Sequence, residues 1–126
     1  MDVLNIVSEI LSNNILITSL SAMVLAQASK IVLYLFTDKK LSFKPFFEVG
    51  GMPSSHSAMV SCLVMMVGLT QGFDSIQFSI SVVLASIVMY DAIKVRPEIV
   101  GHSMAEVITG SIFGLIIGVI SFNLFH

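Results

Sequence analysis

Gly50-Gly51-Met52-Pro53-Ser54-Ser55-His56-Ser57 sets two glycines, a proline, three serines and a histidine directly ahead of a long apolar run. Pro53 suits the first turn of a helix, where its missing N–H costs no hydrogen bond. The backbone donors that follow, together with the positive end of the helix dipole, make a seat for an anion. His56 in that same turn adds a proton donor. On spacing alone this knot reads as a phosphate site at the mouth of a membrane helix. Downstream, Gly101-His102-Ser103-Met104-Ala105-Glu106 opens another apolar run with a second histidine and a carboxylate. Gln27 and Lys30, at i and i+3 on one helical face, interrupt an earlier run, and Asp91 and Arg96 stand near the end of a third. Two histidines, a lysine, an arginine and two carboxylates suit a site that holds an anion and moves a proton.

Those residues need elements to bring them together, and composition says what kind. Of 126 residues, 56% are hydrophobic and only 11% are charged, with a mean hydropathy of +0.97. A soluble domain carries roughly a quarter charged residues, so the chain reads as an all-α integral membrane protein with a single membrane domain over 1–126. The net charge of −2 points to no nucleic-acid partner. The one cysteine, Cys62, lies inside an apolar run, so it has no internal disulfide partner and leaves the redox compartment open. The N-terminus has Asp2 and Glu9 in place of a basic leader, and no cleaved signal peptide is expected.

Four spans are expected, over about 14–36, 55–69, 76–95 and 103–125, each near the ~20 residues that cross a bilayer. The second is short unless the knot itself enters the membrane. Before them, Val3, Leu4, Ile6, Val7, Ile10 and Leu11 recur with helical periodicity. They form either a short helix on the membrane surface or an extension of the first span. With four crossings, the 37–52 and 94–101 connections share one face. Lys30, Lys39, Lys40, Lys44, Lys94 and Arg96 all fall on or near it. The positive-inside rule makes that face cytoplasmic and leaves both termini outside, in a multi-pass protein of the cell membrane. The polar knot and the His102 segment both open spans there. Lys30 lies about six residues before the first span ends, hence ~9 Å below the face.

Each residue has a plainer reading as well. Lys30 can snorkel to the interface, though its pairing with Gln27 favours an inward polar stripe. Asp91 can pair with Lys94 one turn on. Ser103 and Glu106 match a capping box, and His102 can be an interfacial histidine. Gly110, Gly114 and Gly118, every four residues, mark a helix-packing face with no chemistry of its own. His56 is hardest to explain structurally, because the anion-seat residues surround it.

Pro53-Ser54-Ser55-His56 resembles the Pro-Ser-Gly-His motif of the type-2 phosphatidic acid phosphatases and the related vanadium haloperoxidases. Arg96, five residues, His102, three residues and Glu106 resemble their Arg-x5-His-x3-Asp motif. The full string Gly-Gly-Met-Pro-Ser-Ser-His-Ser, with Met89-Tyr90-Asp91-Ala92 and Gly101-His102 downstream, is similar to the divergent type-2 phosphatidic acid phosphatase family. That resemblance covers nearly the whole chain. It implies that His102 takes the phosphoryl group and Glu106 orients its imidazole. His56 then protonates the leaving alcohol and later activates water. Lys30, Arg96, Ser54 and the backbone N–H of Ser55 hold the phosphoryl oxygens. Gln27 and Asp91 stand beside them as candidate supporting residues. No metal and no cofactor is implied. The chain departs from the family pattern in lacking Arg-Pro after Lys30, in placing Val95 before the arginine, in Ser55 for glycine and in Glu106 for aspartate. The superfamily has a six-helix core where four spans are counted here, so a homodimer that completes the pocket is a further expectation.

The function expected is therefore a membrane phosphatase that hydrolyses a lipid phosphomonoester or diphosphate through a phosphohistidine. Phosphatidic acid, phosphatidylglycerophosphate and a polyprenyl phosphate all fit as substrate. Two rivals stand beside it. One is a lipid-phosphate binder or carrier without turnover. The other is a metal or ion transporter using His56, His102, Glu106 and Asp91 as ligands, against which the neighbouring cations argue.

Overall fold

Asn13 divides the N-terminal apolar stretch into two helices. In the computed structural model, which describes residues 2–47, 51–95 and 103–126, α1 (Val3–Ser12) ends at Asn13 and α2 (Asn14–Asp38) starts from it. The Asn13 side chain accepts a hydrogen bond from the Leu16 N–H at 3.1 Å, which satisfies one of the donors every helix start leaves open. Of the two readings left open above, the separate helix is the one observed. Lys39, in the left-handed region at φ 54°, closes α2, and a single turn, α3 (Lys44–Phe47), follows.

Serines start the remaining long helices. Ser54 caps α4 (Ser55–Gln71), Ser75 caps α5 (Ile76–Tyr90) and Ser103 caps α6 (Met104–Phe125). Pro53 therefore stands just before the cap of α4 rather than inside its first turn. The α5 helix widens into a π turn over Asp91–Val95, and no strand occurs among the described residues.

The bundle is built around α4, which packs against α2, α5 and α6. Small residues make this close packing possible. A Cβ on Gly110 would fall on the Ser54 carbonyl, one on Gly114 would fall on the Ala58 carbonyl, and one on Gly118 would come 2.9 Å from Met65 Cβ. The stripe on α6 thus meets residues 54, 58 and 65 in ascending order, so α4 and α6 run parallel and begin at the same end. The α2 helix runs the other way: its Thr18 carbonyl accepts from Cys62 Sγ at 3.7 Å, while its Lys30 lies beside Gly51. Ser111 near the start of α6 donates to Met89 Sδ near the end of α5 at 3.6 Å, so α5 is antiparallel to α6. One end of the bundle therefore gathers the starts of α4 and α6 and the ends of α2 and α5.

The outer faces are apolar and exposed. Ile76, Ile80, Val83 and Ile87 on α5, and Ile108, Ile112, Ile116 and Ile120 on α6, are each more than half exposed. Among the described residues, three helices are long and apolar enough to cross a membrane: Asn14–Asp38, Ile76–Lys94 and Met104–Phe125. That is one fewer than the four spans expected from sequence. The difference is α4: its 17 residues reach about 25 Å at 1.5 Å per residue, against a hydrocarbon core of ~30 Å.

Candidate functional site

The buried face of α2 carries Thr18, Ser19, Ala22, Ala26 and Lys30. This 3–4 residue spacing makes a single helical stripe, and its first four members are small enough to let α4 approach. Lys30 ends the stripe and is only 6% exposed, so it lies inside the protein and does not snorkel to the interface. Its aliphatic stem passes Gly51, where an added Cβ would sit 3.9 Å from Lys30 Cδ and 4.0 Å from Cε. Gly51 has φ +85°, a conformation that side-chain-bearing residues rarely adopt.

A cavity of about 190 Å³ opens at this point. Lys30, Leu33, Tyr34 and Thr37 form its α2 wall, Pro45 of α3 lies across from them, and Gly51 and Met52 close it on the knot side. The α3 turn is held there by Gln27, whose Nε2 donates to the Phe46 carbonyl at 2.7 Å. Gln27 thus supports the cavity wall, while its Oε1 is buried with no hydrogen-bond partner among the described residues. Sequence reasoning found Lys30, Gln27 and the Gly51-Met52 stretch of the knot, but not Leu33, Tyr34, Thr37 or Pro45. Lys30, Tyr34 and Thr37 follow at i, i+4 and i+7, which is the signal that could have joined them.

The start of α4 is fixed from two sides. The Ser54 N–H donates to the Glu106 carbonyl at 3.1 Å, which ties the first turns of α4 and α6 together. The Ser54 side chain accepts from the Ser57 N–H at 3.4 Å. Ser54 and Ser55 are buried, whereas His56 is exposed on the same turn. The backbone N–H of Ser55 has no partner among the described residues, so an orphan donor remains at the positive end of the helix. The Ser57 hydroxyl is fully buried and also lacks a partner there.

At the start of α6 the capping box is present in full. Glu106 Oε2 accepts from the Ser103 N–H at 2.8 Å, and Ser103 Oγ accepts from the Glu106 N–H at 3.2 Å. The carboxylate is thereby held at the peptide that joins His102 to Ser103. Arg96 and His102 themselves lie outside the described residues. Asp91, at the head of the π turn, lines a groove on the outer side of α5 with Val83, Ser86, Ile87 and Tyr90. It does not line the Lys30 cavity. Among the described residues no three His, Cys, Asp or Glu side chains gather as a metal site.

The structure thus brings Lys30 to the glycine turn of the knot and the starts of α4 and α6 to each other. A buried cation, an orphan backbone donor and a helix N-terminus at one end of the bundle can hold an anion of phosphate type.

The sequence profile described as the Divergent PAP2 family matches residues 11–99. This range includes Lys30, the polar knot and Arg96, and it ends before His102 and Glu106. A Bacillus subtilis (strain 168) protein described as "Uncharacterized membrane protein YuiD" is 42% identical over 88 residues, covering 70% of this chain and 56% of the relative. The chain thus spans about half the length of the curated relative it matches. No solved structure matches it.

Proposed function

The chain belongs to the Divergent PAP2 family, and from that premise we propose that it hydrolyses lipid phosphates in the cell membrane. The observation that carries the proposal is Lys30, a buried cation beside the glycine turn that leads into α4. Charge stabilisation on the phosphoryl oxygens is most of what phosphoryl transfer asks of a protein. Lys30, Arg96, Ser54 and the Ser55 N–H supply it in this reading.

His102 attacks phosphorus, the bond from phosphorus to the lipid oxygen breaks, and His56 gives that oxygen its proton. Water then attacks the phosphohistidine while His56 takes a proton back, and inorganic phosphate leaves with His102 restored. Glu106, held beside the His102–Ser103 peptide by its capping bond, orients the imidazole. Gln27 supports the cavity through α3, and Asp91 steadies the basic face from the π turn after α5. No metal takes part.

In the same proposal α4 is the fourth crossing, made long enough by the Gly51–Ser54 turn dipping below the headgroups. The α1 helix lies in the interface at the opposite end: its six large apolar residues are all exposed, and Asn13 separates it from α2. The basic end faces the cytoplasm, and a second copy completes the pocket as a homodimer.

A second reading, a lipid-phosphate binder without turnover, draws on one feature. The Ser54 hydroxyl and one Glu106 oxygen are engaged in helix caps. The experiment is direct. Purified protein in nanodiscs with EDTA is offered phosphatidic acid, phosphatidylglycerophosphate and a polyprenyl phosphate. Phosphate release that falls to background in His102→Ala supports the hydrolase. No release from any lipid leaves only the binder, and full turnover by His102→Ala removes the nucleophile assignment.

A further inference from the structure

The α2 helix stands past the site it helps to build. Gly51 meets it at Lys30, and from Lys30 to Asp38 the helix continues for about 12 Å at 1.5 Å per residue. Val32, Leu35 and Phe36 on these last turns are exposed, Phe36 by 77%. Lys39, in the left-handed region, closes the helix, and the chain then turns back. The bond from Gln27 Nε2 to the Phe46 carbonyl brings α3 toward the level of Gln27, about 16 Å below the end of α2. Residues 39–47 thus form a strap that descends beside α2 and reaches the Lys30 cavity through Pro45.

The strap mixes two kinds of side chain within a few residues. Leu41 and Phe43 are large and apolar, yet they are 69% and 65% exposed. Lys39, Lys40 and Lys44 are exposed among them. Hydrogen bonds within the strap hold its shape. The Phe46 N–H donates to the Phe43 carbonyl at 3.1 Å, and the Lys44 N–H donates to Ser42 Oγ at 3.2 Å. Leu41, Phe43 and Phe36 together make an exposed apolar surface of the kind that marks a partner. Lysines interleaved with such residues at the end of a helix long enough to cross a membrane fit one chemistry. The apolar side chains suit the acyl boundary and the ammonium groups suit anionic headgroups. A water-borne acidic partner meets the lysines but gives Leu41 and Phe43 no apolar cover on the side where α2 is itself apolar and exposed.

We infer that the 39–47 strap is a docking surface for anionic membrane lipid. Leu41 and Phe43 sit among the first acyl carbons, and Lys39 and Lys40 gather anionic headgroups around the end of α2. Pro45 walls the cavity from the same strap, so the gathered lipids form the rim of its mouth and stay outside it. The inference makes no use of Lys30 as an anion seat, and it stands or falls apart from the phosphatase reading.

The chain has no tryptophan, so Phe43→Trp supplies a single fluorescent reporter in the full-length protein. Leu41→Trp supplies a second reporter on the same strap should the first fail to fold. In phosphatidylcholine nanodiscs, each is exposed to acyl-brominated phosphatidylserine or acyl-brominated phosphatidylcholine at equal mole share. Both lipids quench the reporter, and the serine lipid does so as if enriched about fivefold at the strap, the preference that one lysine near the surface confers. Lys39→Gln combined with Lys40→Gln removes the enrichment and leaves quenching by phosphatidylcholine unchanged. Salt at about 1 M, where the screening length is about 3 Å, shrinks the enrichment in the same way. No quenching by either lipid would place the strap in water, where a soluble partner docks. Equal quenching by the two lipids would remove the anionic preference, and enrichment that survives the double substitution would move it off these lysines. Each of those three results overturns the inference.

Discussion

A lysine held inside a bundle carries its charge away from water, and that desolvation costs several kcal/mol unless neighbouring groups offset it. Lys30 is buried and engaged by neighbouring groups, so its replacement is read at matched folded fraction. In Lys30→Met, phosphate release per folded molecule should fall by about 10²–10³-fold, the typical loss when one charge-stabilising contact to a reacting oxygen is removed. Full turnover by the folded fraction would instead mark Lys30 as a structural residue. Ser54 gives a contrasting case at the same scale. Its side chain caps α4 and its N–H reaches α6, so Ser54→Ala should lower stability by about 1 kcal/mol through the lost cap alone. Any further loss of phosphate affinity at matched folded fraction reports direct contact with the anion.

At the scale of elements, the glycine stripe decides how close α6 comes to α4. At a lipid-facing helix position Gly→Ala would stabilise by up to about 1 kcal/mol, but at Gly114 the added methyl falls on the Ala58 carbonyl. Gly114→Ala should therefore destabilise, by about 1–3 kcal/mol for a tightly packed site. Ile112→Ala on the exposed face of the same helix should lie near neutral. Thermal unfolding of the two variants in one detergent checks the sign. This stripe also shows what the sequence made legible. Period-four glycines identify a packing face from spacing alone, and Ser103-x-x-Glu106 identifies a capping box, because both signals are local. The partner of the stripe is not local: that Gly110 meets Ser54 and Gly114 meets Ala58 follows from helix-on-helix register, which leaves no pattern in a single chain. The same holds at the candidate site. Gln27 and Lys30 announced an inward polar face through their i, i+3 spacing. Pro45 joins Lys30 only because Gln27 bonds to Phe46, 19 residues away.

For the molecule as a whole, the lysines gather at one end of the bundle, where Asp38, Asp91 and Glu106 also lie. The end that holds the turn before α5 and the start of α2 carries Asp2, Glu9 and Asp74 and no Lys or Arg. Lys30, Lys39, Lys40, Lys44 and Lys94 belong to the segments that meet at the other end. The parallel course of α4 and α6, read from residues 54 and 58 against 110 and 114, is what puts the knot and the Glu106 turn together there. Basic residues near the ends of membrane helices are retained on the cytoplasmic side, so the site should open to the cytoplasm and its substrate should be drawn from that leaflet. A cysteine-labelling experiment settles the orientation. Cys62 is buried against Thr18, and Cys62→Ser gives a background without native thiols. In that background Lys40→Cys should react with a membrane-impermeant maleimide only after the membrane is opened. Asp74→Cys should react in intact cells. The reverse pattern would place the site on the outer face while leaving the chemistry of Lys30 and α4 untouched. Reaction of both positions from one side would mean that α4 does not cross, because a crossing α4 must put residues 40 and 74 on opposite surfaces.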